Sequence, residues 1–322
     1  MHYDVFNGDA DGIIALLQLR LSTPKANRLI TGVKRDIKLL DQVVKLGDAT
    51  SVTVLDISMM KNIEPLQRLL TQRIPVFYCD HHQSGEIPNS EHLETLINLD
   101  AETCTSLLIN QKLKGEFIHW AIAGAFGDNL HQRAQSLANH AGLSQEDSEF
   151  LCELGTLINY NGYGATLDDL HIPPAELFHQ LLRYPDPFML REDSESPYYL
   201  LQQGYANDYA QVMRIKPLTE NPSCRIFELP STAWARRISG VFGNELANQS
   251  PRQAHAVLTL NENQQDYTVS VRAPLNNRTG ADEVCSLFAT GGGRKAAAGI
   301  NALPCEQKAH FIDVLTQYYQ SL

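Results

Sequence analysis

The sequence predicts an α/β protein: a mostly parallel sheet with helices on both faces, then a smaller mixed α/β domain across a cleft. Three observations predict it. Apolar runs rich in Val, Ile, Leu and Phe alternate with segments of helical periodicity through the first half of the chain. Three such runs stop on acids or imidazoles: His2–Phe6 leads into Asn7-Gly8-Asp9-Ala10-Asp11-Gly12, Ser51–Leu55 into Asp56, and Ile74–Cys79 into Asp80-His81-His82. Parallel strands open their carboxyl ends onto one edge, where ligands collect, so these side chains are expected to meet. Lastly, 322 residues is a length for two domains.

In order, the first strand ends at Phe6, and the polar turn Asn7–Gly12 passes into a helix whose Ile13, Ile14, Leu16, Leu17 and Leu21 recur at helical spacing. Asp9 and Asp11, two apart between glycines, can point into one crevice, although Asp11 alone also suits a helix N-cap. A strand is expected over Leu29–Val33 and a short helix over Lys38–Leu46. The strand ending at Asp56 is followed by a helix from Met60 to Gln72, and the next strand delivers the triplet at 80–82. Helices are read over Thr103–Leu113, Leu130–Ala141, 145–158 and 173–184. The apolar run Phe117–Phe126 ends at Gly127-Asp128-Asn129.

Between Tyr184 and Pro197 prolines and acids predominate, which marks a boundary. The expected division is a first domain over 1–183, a linker with a connecting helix over 184–222, and a second domain over 223–322. In the latter, strands are read at 226–229, 255–260 and 267–273. Helices are read at Thr232–Asn248, at Ala281–Phe288 and from Glu306, with a glycine run at 291–293.

Composition limits the functions. With 26 Lys and Arg against 37 Asp and Glu, the formal charge is −11, which argues against an electropositive track for long duplex nucleic acid. A small anion gripped by a few local cations is compatible with that charge, and bound divalent cations would offset part of it. The six cysteines are scattered without a C-x-x-C pair and read as reduced thiols, Cys79 as strand filling. No apolar run is long enough to span a membrane and no leader is readable after Met1, so a cytoplasmic monomer or homodimer without a membrane partner is expected.

Taken together, the motifs resemble the DHH phosphoesterases that carry a C-terminal DHHA1 domain. The triplet Asp80-His81-His82 follows the D-x-D turn Asp9-Ala10-Asp11 and the strand-end Asp56. Gly127-Asp128-Asn129 fits the fourth acidic motif. Gly291-Gly292-Gly293-Arg294-Lys295-Ala296-Ala297-Ala298-Gly299 resembles the GGGH-x-x-AAG signature, and Ser270-Val271-Arg272 the strand before it. The motifs span residues 9 to 299, nearly the whole chain.

The resemblance implies two divalent metal ions, usually Mn2+, with Mg2+ or Co2+ as alternatives. By motif position Asp56 would bridge them. Asp9 would serve one ion, and Asp11, His81 and Asp128 the other. His82 would lie near the scissile phosphate, and Asp80 would orient the histidines. Two such ions activate water and clamp the attacking and leaving oxygens of a phosphoester. The implied substrate is a short nucleotide with a terminal phosphate: a short oligoribonucleotide or a linear dinucleotide such as pGpG, cleaved to mononucleotides. Cleavage of 3′-phosphoadenosine 5′-phosphate, or nucleotide-binding regulation by a weakened site, are the alternatives.

Two departures stand out. Many relatives place histidine four residues before the D-x-D, where this chain has Val5, and others an aspartate two residues before it, where Asn7 stands; Asn7 is therefore a candidate oxygen donor to the first ion. Arg294 replaces the usual histidine of the glycine signature. A guanidinium forks onto phosphate oxygens, so Arg294, Arg272 and Lys295, with Arg278 as a further cation and Gly291, Gly292 and Gly293 as a backbone platform, form the expected phosphate grip.

Overall fold

The structure, a computed structural model, describes residues 1–321. It divides into two compact units, Met1–Gly204 and Tyr205–Leu322. The first contains β1 (His2–Phe6), α1 (Ala10–Ser22), β2 (Arg28–Ile30), α2 (Leu40–Leu46), β3 (Ser51–Leu55), α3 (Ile63–Thr71), β4 (Val76–Asp80) and β5 (Leu93–Ile97). The helices α4 (Thr105–Lys112), α5 (Ile118–Gly127), α6 (His131–His140), α7 (Gln145–Asn161), α8 (Pro174–Leu181) and α9 (Met189–Glu192) follow, and α10 (Pro197–Val212) begins in the first unit and ends in the second.

The five strands are all parallel, in the order β2-β1-β3-β4-β5. The chain leaves β1 outwards to β2, then returns across it to β3. That reversal opens a crevice at the carboxyl ends of β1 and β3, where open α/β sheets bind ligands. Alternation of side chains explains the two faces. Tyr3, Val5, Val52, Val54, Val76 and Tyr78 pack beneath Leu40 and Val43 of α2 and Leu66, Leu69 and Leu70 of α3. Helices α1, α4, α5 and α7 pack with one another, and α1 and α4 also lie against the sheet.

The α1 side of β1 carries a buried ionic group. Arg20 reaches back from α1 to fork onto Asp4, with Nε 2.7 Å and Nη2 2.5 Å from its oxygens, and His2 Nε2 stands 3.0 Å from Oδ1. Burial alone would raise the Asp4 pKa; the hydrogen bonds from Arg20 and His2, the Arg20 charge and Asn27 hold it at about 2.

The second unit contains β6 (Thr219–Glu220), β7 (Cys224–Leu229), α11 (Ala233–Gln249), β8 (Ala254–Leu260), β9 (Asp266–Arg272), α12 (Ala281–Ser286), β10 (Gly291–Gly293), β11 (Ala297–Pro304) and α13 (Lys308–Gln320). Its sheet has the order β10-β11-β9-β8-β7-β6 and is antiparallel except between β7 and β8. Ala256, Leu258, Val269, Val271 and Ile300 face Val284 and Cys285 of α12 and Phe311 and Leu315 of α13. Helix α11 packs against β8 and β9.

Three sequence readings change. The stretch 184–204, expected to begin a linker, packs with the first unit: Tyr184, Leu190, Tyr198 and Leu201 are buried, and Trp120 donates its indole N–H to the Tyr184 carbonyl over 3.1 Å. The strand expected over Leu29–Val33 is confined to Arg28–Ile30. The glycine run is itself a strand, paired residue for residue with β11. Among the described residues, no helix is long and apolar enough to cross a membrane.

Candidate metal centre and anion platform

The acids and imidazoles at the strand ends of the first unit do meet. His81, just past β4, is nearly buried and turns Nδ1 to the carbonyl of Thr103, 3.0 Å away. A carbonyl only accepts, so Nδ1 carries a proton, and in the neutral imidazole the lone pair lies on Nε2. That lone pair looks onto three carboxylates: Asp56 Oδ1 at 3.4 Å, Asp11 Oδ2 at 3.8 Å and Asp128 Oδ2 at 3.9 Å. Donors around an octahedral ion at about 2.1 Å stand about 3 Å apart as neighbours and about 4.2 Å across it. The three distances from His81 fall in that range, and imidazole with carboxylates suits a divalent ion such as manganese. The donor set therefore fits one such ion.

Each of these candidate ligands is fixed from behind. Asp11, buried in the first turn of α1, accepts from the Ser106 amide at Oδ1 and the Thr105 amide at Oδ2, both over 2.7 Å. These are orphan N–H groups at the start of α4, so Asp11 caps that helix while facing His81. Asp56 sits at φ 58°, in the left-handed region an L-residue seldom adopts. Its amide donates to the Cys79 carbonyl over 3.1 Å and its Oδ1 accepts from Thr105 Oγ1 over 3.1 Å. Burial first, then the carboxylates of Asp11, Asp9, Asp80 and Asp128, push the Asp56 pKa well above the carboxylate range. The crowding of carboxylates thus favours the protonated form of Asp56.

His82 is 32% exposed and turns Nδ1 onto Asp80 Oδ1 at 2.7 Å, with Asp56 Oδ1 3.8 Å away. A carboxylate that holds an imidazole in this way orients it and strengthens it as a base. Asp80 is fully buried, and its Oδ2 has no hydrogen-bond partner among the described residues. An unpartnered buried carboxylate oxygen is costly unless positive charge lies near.

Asp9 and Asn7 take up other partners. Asp9 Oδ1 caps α1 through the Gly12 amide over 3.1 Å, and Oδ2 receives the Lys34 ammonium at 2.5 Å. Asn7 accepts from the Asp9 amide at Oδ1 over 3.2 Å and donates Nδ2 to the Lys34 carbonyl over 3.2 Å, so its oxygen is committed to the backbone. Burial alone would raise the Asp9 pKa. The Lys34 charge and hydrogen bond, with the Gly12 amide and a hydrogen bond from Asp56, hold it at about 2. Burial opposes the Lys34 charge, yet Asp9 above all, then Tyr163 and Asp128, raise its pKa beyond the usual lysine value.

Sequence reasoning passed over Lys34, Asn159, Thr105 and Cys104. Lys34 follows β2, whose carboxyl end shares the edge of β1, and that adjacency was the available signal. The Cys104 thiol lies within 4.8 Å of ligand atoms of Asp11 and Asp128. Burial, then Asp11 and Asp128, push its pKa well up, so it stays a neutral thiol.

In the second unit, Gly292, Gly299 and Ser270 lie in one row across β10, β11 and β9. The next row on the same face joins Arg294, Ala297 and Arg272: Arg294 and Ala297 exchange backbone hydrogen bonds of 2.8 and 3.1 Å, and Ala297 pairs with Arg272. Arg272 is braced by Asn244 Oδ1 at 2.6 Å and Ser270 Oγ at 2.8 Å. A Cβ on Gly291 would come 1.8 Å from the Cys285 carbonyl oxygen, whereas one on Gly292 would meet nothing within 4 Å. The glycine backbone of Gly292 and Gly299 thus lies in the row beside that of Arg272 and Arg294, an arrangement that suits an anion. Lys295 is exposed in the hairpin turn after Arg294, and Arg278 is exposed in the loop before α12.

A parallel sheet whose switch point gathers acids and imidazoles, followed by a mixed sheet with a glycine strand, is the two-domain fold expected of DHH phosphoesterases with a DHHA1 domain. Solved structures share it. The exonuclease RecJ bound to manganese superposes with a TM-score of 0.63 at 16% identity, covering 100% of this chain and 90% of that one. RecJ from Thermus thermophilus in complex with Mn2+ gives 0.59 at 14%, covering 100% of this chain, which spans 52% of that protein. The pGpG-specific phosphodiesterase PggH from Vibrio cholerae gives 0.58 at 13%, covering 100% and 99%. No protein-family model matches the sequence, and no curated protein does.

Proposed function

We propose that the protein is a divalent-metal-dependent phosphodiesterase that hydrolyses short oligoribonucleotides or linear dinucleotides, such as pGpG, to mononucleotides. The observation that carries this reading is the His81 lone pair facing Asp11, Asp56 and Asp128 at 3.4–3.9 Å, with the imidazole proton fixed on the far nitrogen. These four residues would hold the ion, Mn2+ for preference. When bound, the ion supplies Lewis acidity to a phosphoryl oxygen and acidifies water. The remaining work falls to side chains. His82, oriented by Asp80, passes a proton to or from the reacting oxygens, and water rather than a side chain is the nucleophile.

Arg272 and Arg294, with Lys295 beside them and the Gly291–Gly293 backbone, would hold a terminal phosphate. A grip on a chain end favours short substrates, and the overall charge of −11 disfavours long ones. The solved structures of like fold support the reading, since their names describe a manganese-bound exonuclease and a phosphodiesterase for pGpG.

The test is product analysis with Mn2+ on pGpG, pApA, longer 5′-phosphorylated oligoribonucleotides, cyclic dinucleotides and 3′-phosphoadenosine 5′-phosphate. Mononucleotides from the shortest substrates are expected. Inorganic phosphate from the monoester alone would replace this reading with a phosphatase. No turnover of any substrate by metal-loaded protein would replace it with a nucleotide-binding regulator.

A further inference from the structure

The carboxylate of Asp9 is already satisfied by protein. One oxygen caps α1, and the other is in contact with an ammonium that also donates to Asn159 Oδ1 at 3.0 Å. Asn159 is 2% exposed, so this second acceptor is a built partner. Lys34 is also fixed along its backbone: its amide donates to the Gly162 carbonyl over 2.8 Å, and its carbonyl accepts from Asn7 Nδ2 over 3.2 Å. Its Nζ lies 5.3 Å from the centroid of the Tyr163 ring. Asn7 can brace both neighbours because an amide accepts from Asp9 and donates to Lys34 at once. A carboxylate in its place has no proton for the Lys34 carbonyl. Val5, fully buried among apolar side chains, offers no ligand atom.

A second divalent ion on the Asp9 side of Asp56 would need Asp9 and at least one more donor; Asp9 and Asn7 are committed, and the remaining imidazole, His82, groups with Asp56 and His81 rather than with Asp9. We infer that the centre takes a single divalent ion, and that the Lys34 ammonium, held between Asp9 and Asn159, stands as its second positive charge. A phosphoryl-transfer centre needs positive charge against the oxygens of the reacting phosphate, and two metals are one way to supply it. A lysine is a compact point charge with three donors. Two of those on Lys34 are used by Asp9 and Asn159, which leaves a third for a phosphate oxygen. Asn7 and Asn159 are then positioning residues for Lys34. What the charge does rests on the phosphodiesterase reading; how many ions bind does not.

The ion count is therefore the first test. Wild-type protein saturated with Mn2+ and freed of excess should carry one equivalent by elemental analysis. Its electron paramagnetic resonance spectrum should be the six-line pattern of an isolated ion. Two equivalents with an exchange-coupled spectrum would overturn the inference. Lys34→Met should keep the one equivalent and lose turnover by about 10²–10³-fold, the usual effect of removing one preorganised charge stabiliser. Lys34→Arg, which keeps the charge, should recover part of that loss. Full turnover in folded Lys34→Met would remove the lysine from the chemistry. If the wild type cleaves no nucleotide, the phosphodiesterase reading fails while the one-ion count still stands or falls on the spectrum.

Discussion

Replacing Asp56 by Asn separates what the residue does for the fold from what it does for the ion. Burial and its carboxylate neighbours raise the Asp56 pKa well above the usual range and so favour its neutral form. Asparagine is the neutral isostere. Its oxygen can accept from Thr105 Oγ1 as Asp56 does over 3.1 Å, its amide can donate to Asp9, and it tolerates the φ of 58° better than most residues. Ion-free Asp56→Asn should therefore unfold within about 0.5 kcal/mol of the wild type. Asp56→Ala, which loses both hydrogen bonds and places a Cβ in the left-handed region, should cost about 2–4 kcal/mol. With an ion present the order changes. At a hundredfold excess over Kd the wild type gains about 2.7 kcal/mol, or about 5–10 °C in Tm for a unit of this size, and neither variant should show that shift. Thermal unfolding of the three proteins with and without Mn2+ is the assay. A loss of more than about 2 kcal/mol in ion-free Asp56→Asn would mean that the native carboxyl is charged. A wild-type-sized Mn2+ shift in that variant would remove Asp56 from the ligand set.

The glycine strand offers a paired test: Gly291→Ala should destabilise the second unit by more than about 2 kcal/mol, because its Cβ meets a backbone carbonyl at 1.8 Å. Gly292→Ala, whose Cβ points into open space, should leave Tm unchanged and raise KM several-fold; equal effects in the two variants would refute the platform. Arg294→Ala should raise KM about tenfold or more with kcat within about threefold, and a fall in kcat at constant KM would move the residue to the reacting centre. Asp4 gives a pH prediction. Its folded pKa of about 2 lies below the reference value of 3.8, so its stabilisation is present above 3.8 and is lost as pH falls through 2. That loss amounts to about 2 kcal/mol. Urea titrations from about pH 6 to about pH 2 should show it in the wild type and lack it in Asp4→Asn, and equal acid slopes would refute the assignment.

The cluster of acids and imidazoles was legible because its elements obey simple rules. Apolar strands that stop on acids reveal a parallel sheet and its functional edge together, and Asp11, Asp56, His81 and Asp128 all gather there. What escaped notice has physical causes. No residue of β5 is fully buried, so Leu93–Ile97 lacks the apolar run that marks β3 and β4. Glycine is a poor strand former, and β10 exists because β11 supplies its ladder partners. Tyr184–Leu201 has a boundary composition, yet α10 is held by few large side chains that a composition average dilutes. Lys34 looks like any loop lysine until β2 is placed beside β1. Asn7 was singled out for its oxygen, whereas in the fold its amide hydrogens matter as much.

The centre draws residues from 9 to 159 in the chain, carried by the ends of β1, β3 and β4 and by α7. The groups carried by different elements do not meet until the sheet and its helices have docked. Bringing those carboxylates together is uphill, so the crowding arises late in folding, after most apolar surface is buried. An ion that relieves it is then expected to bind only what comes after the rate-limiting barrier. Its imprint should fall on the unfolding limb of the chevron, leaving the folding limb nearly unmoved. For this chain, metal is then less a template for folding than a latch on the finished molecule, and its loss would shorten the native lifetime without slowing refolding.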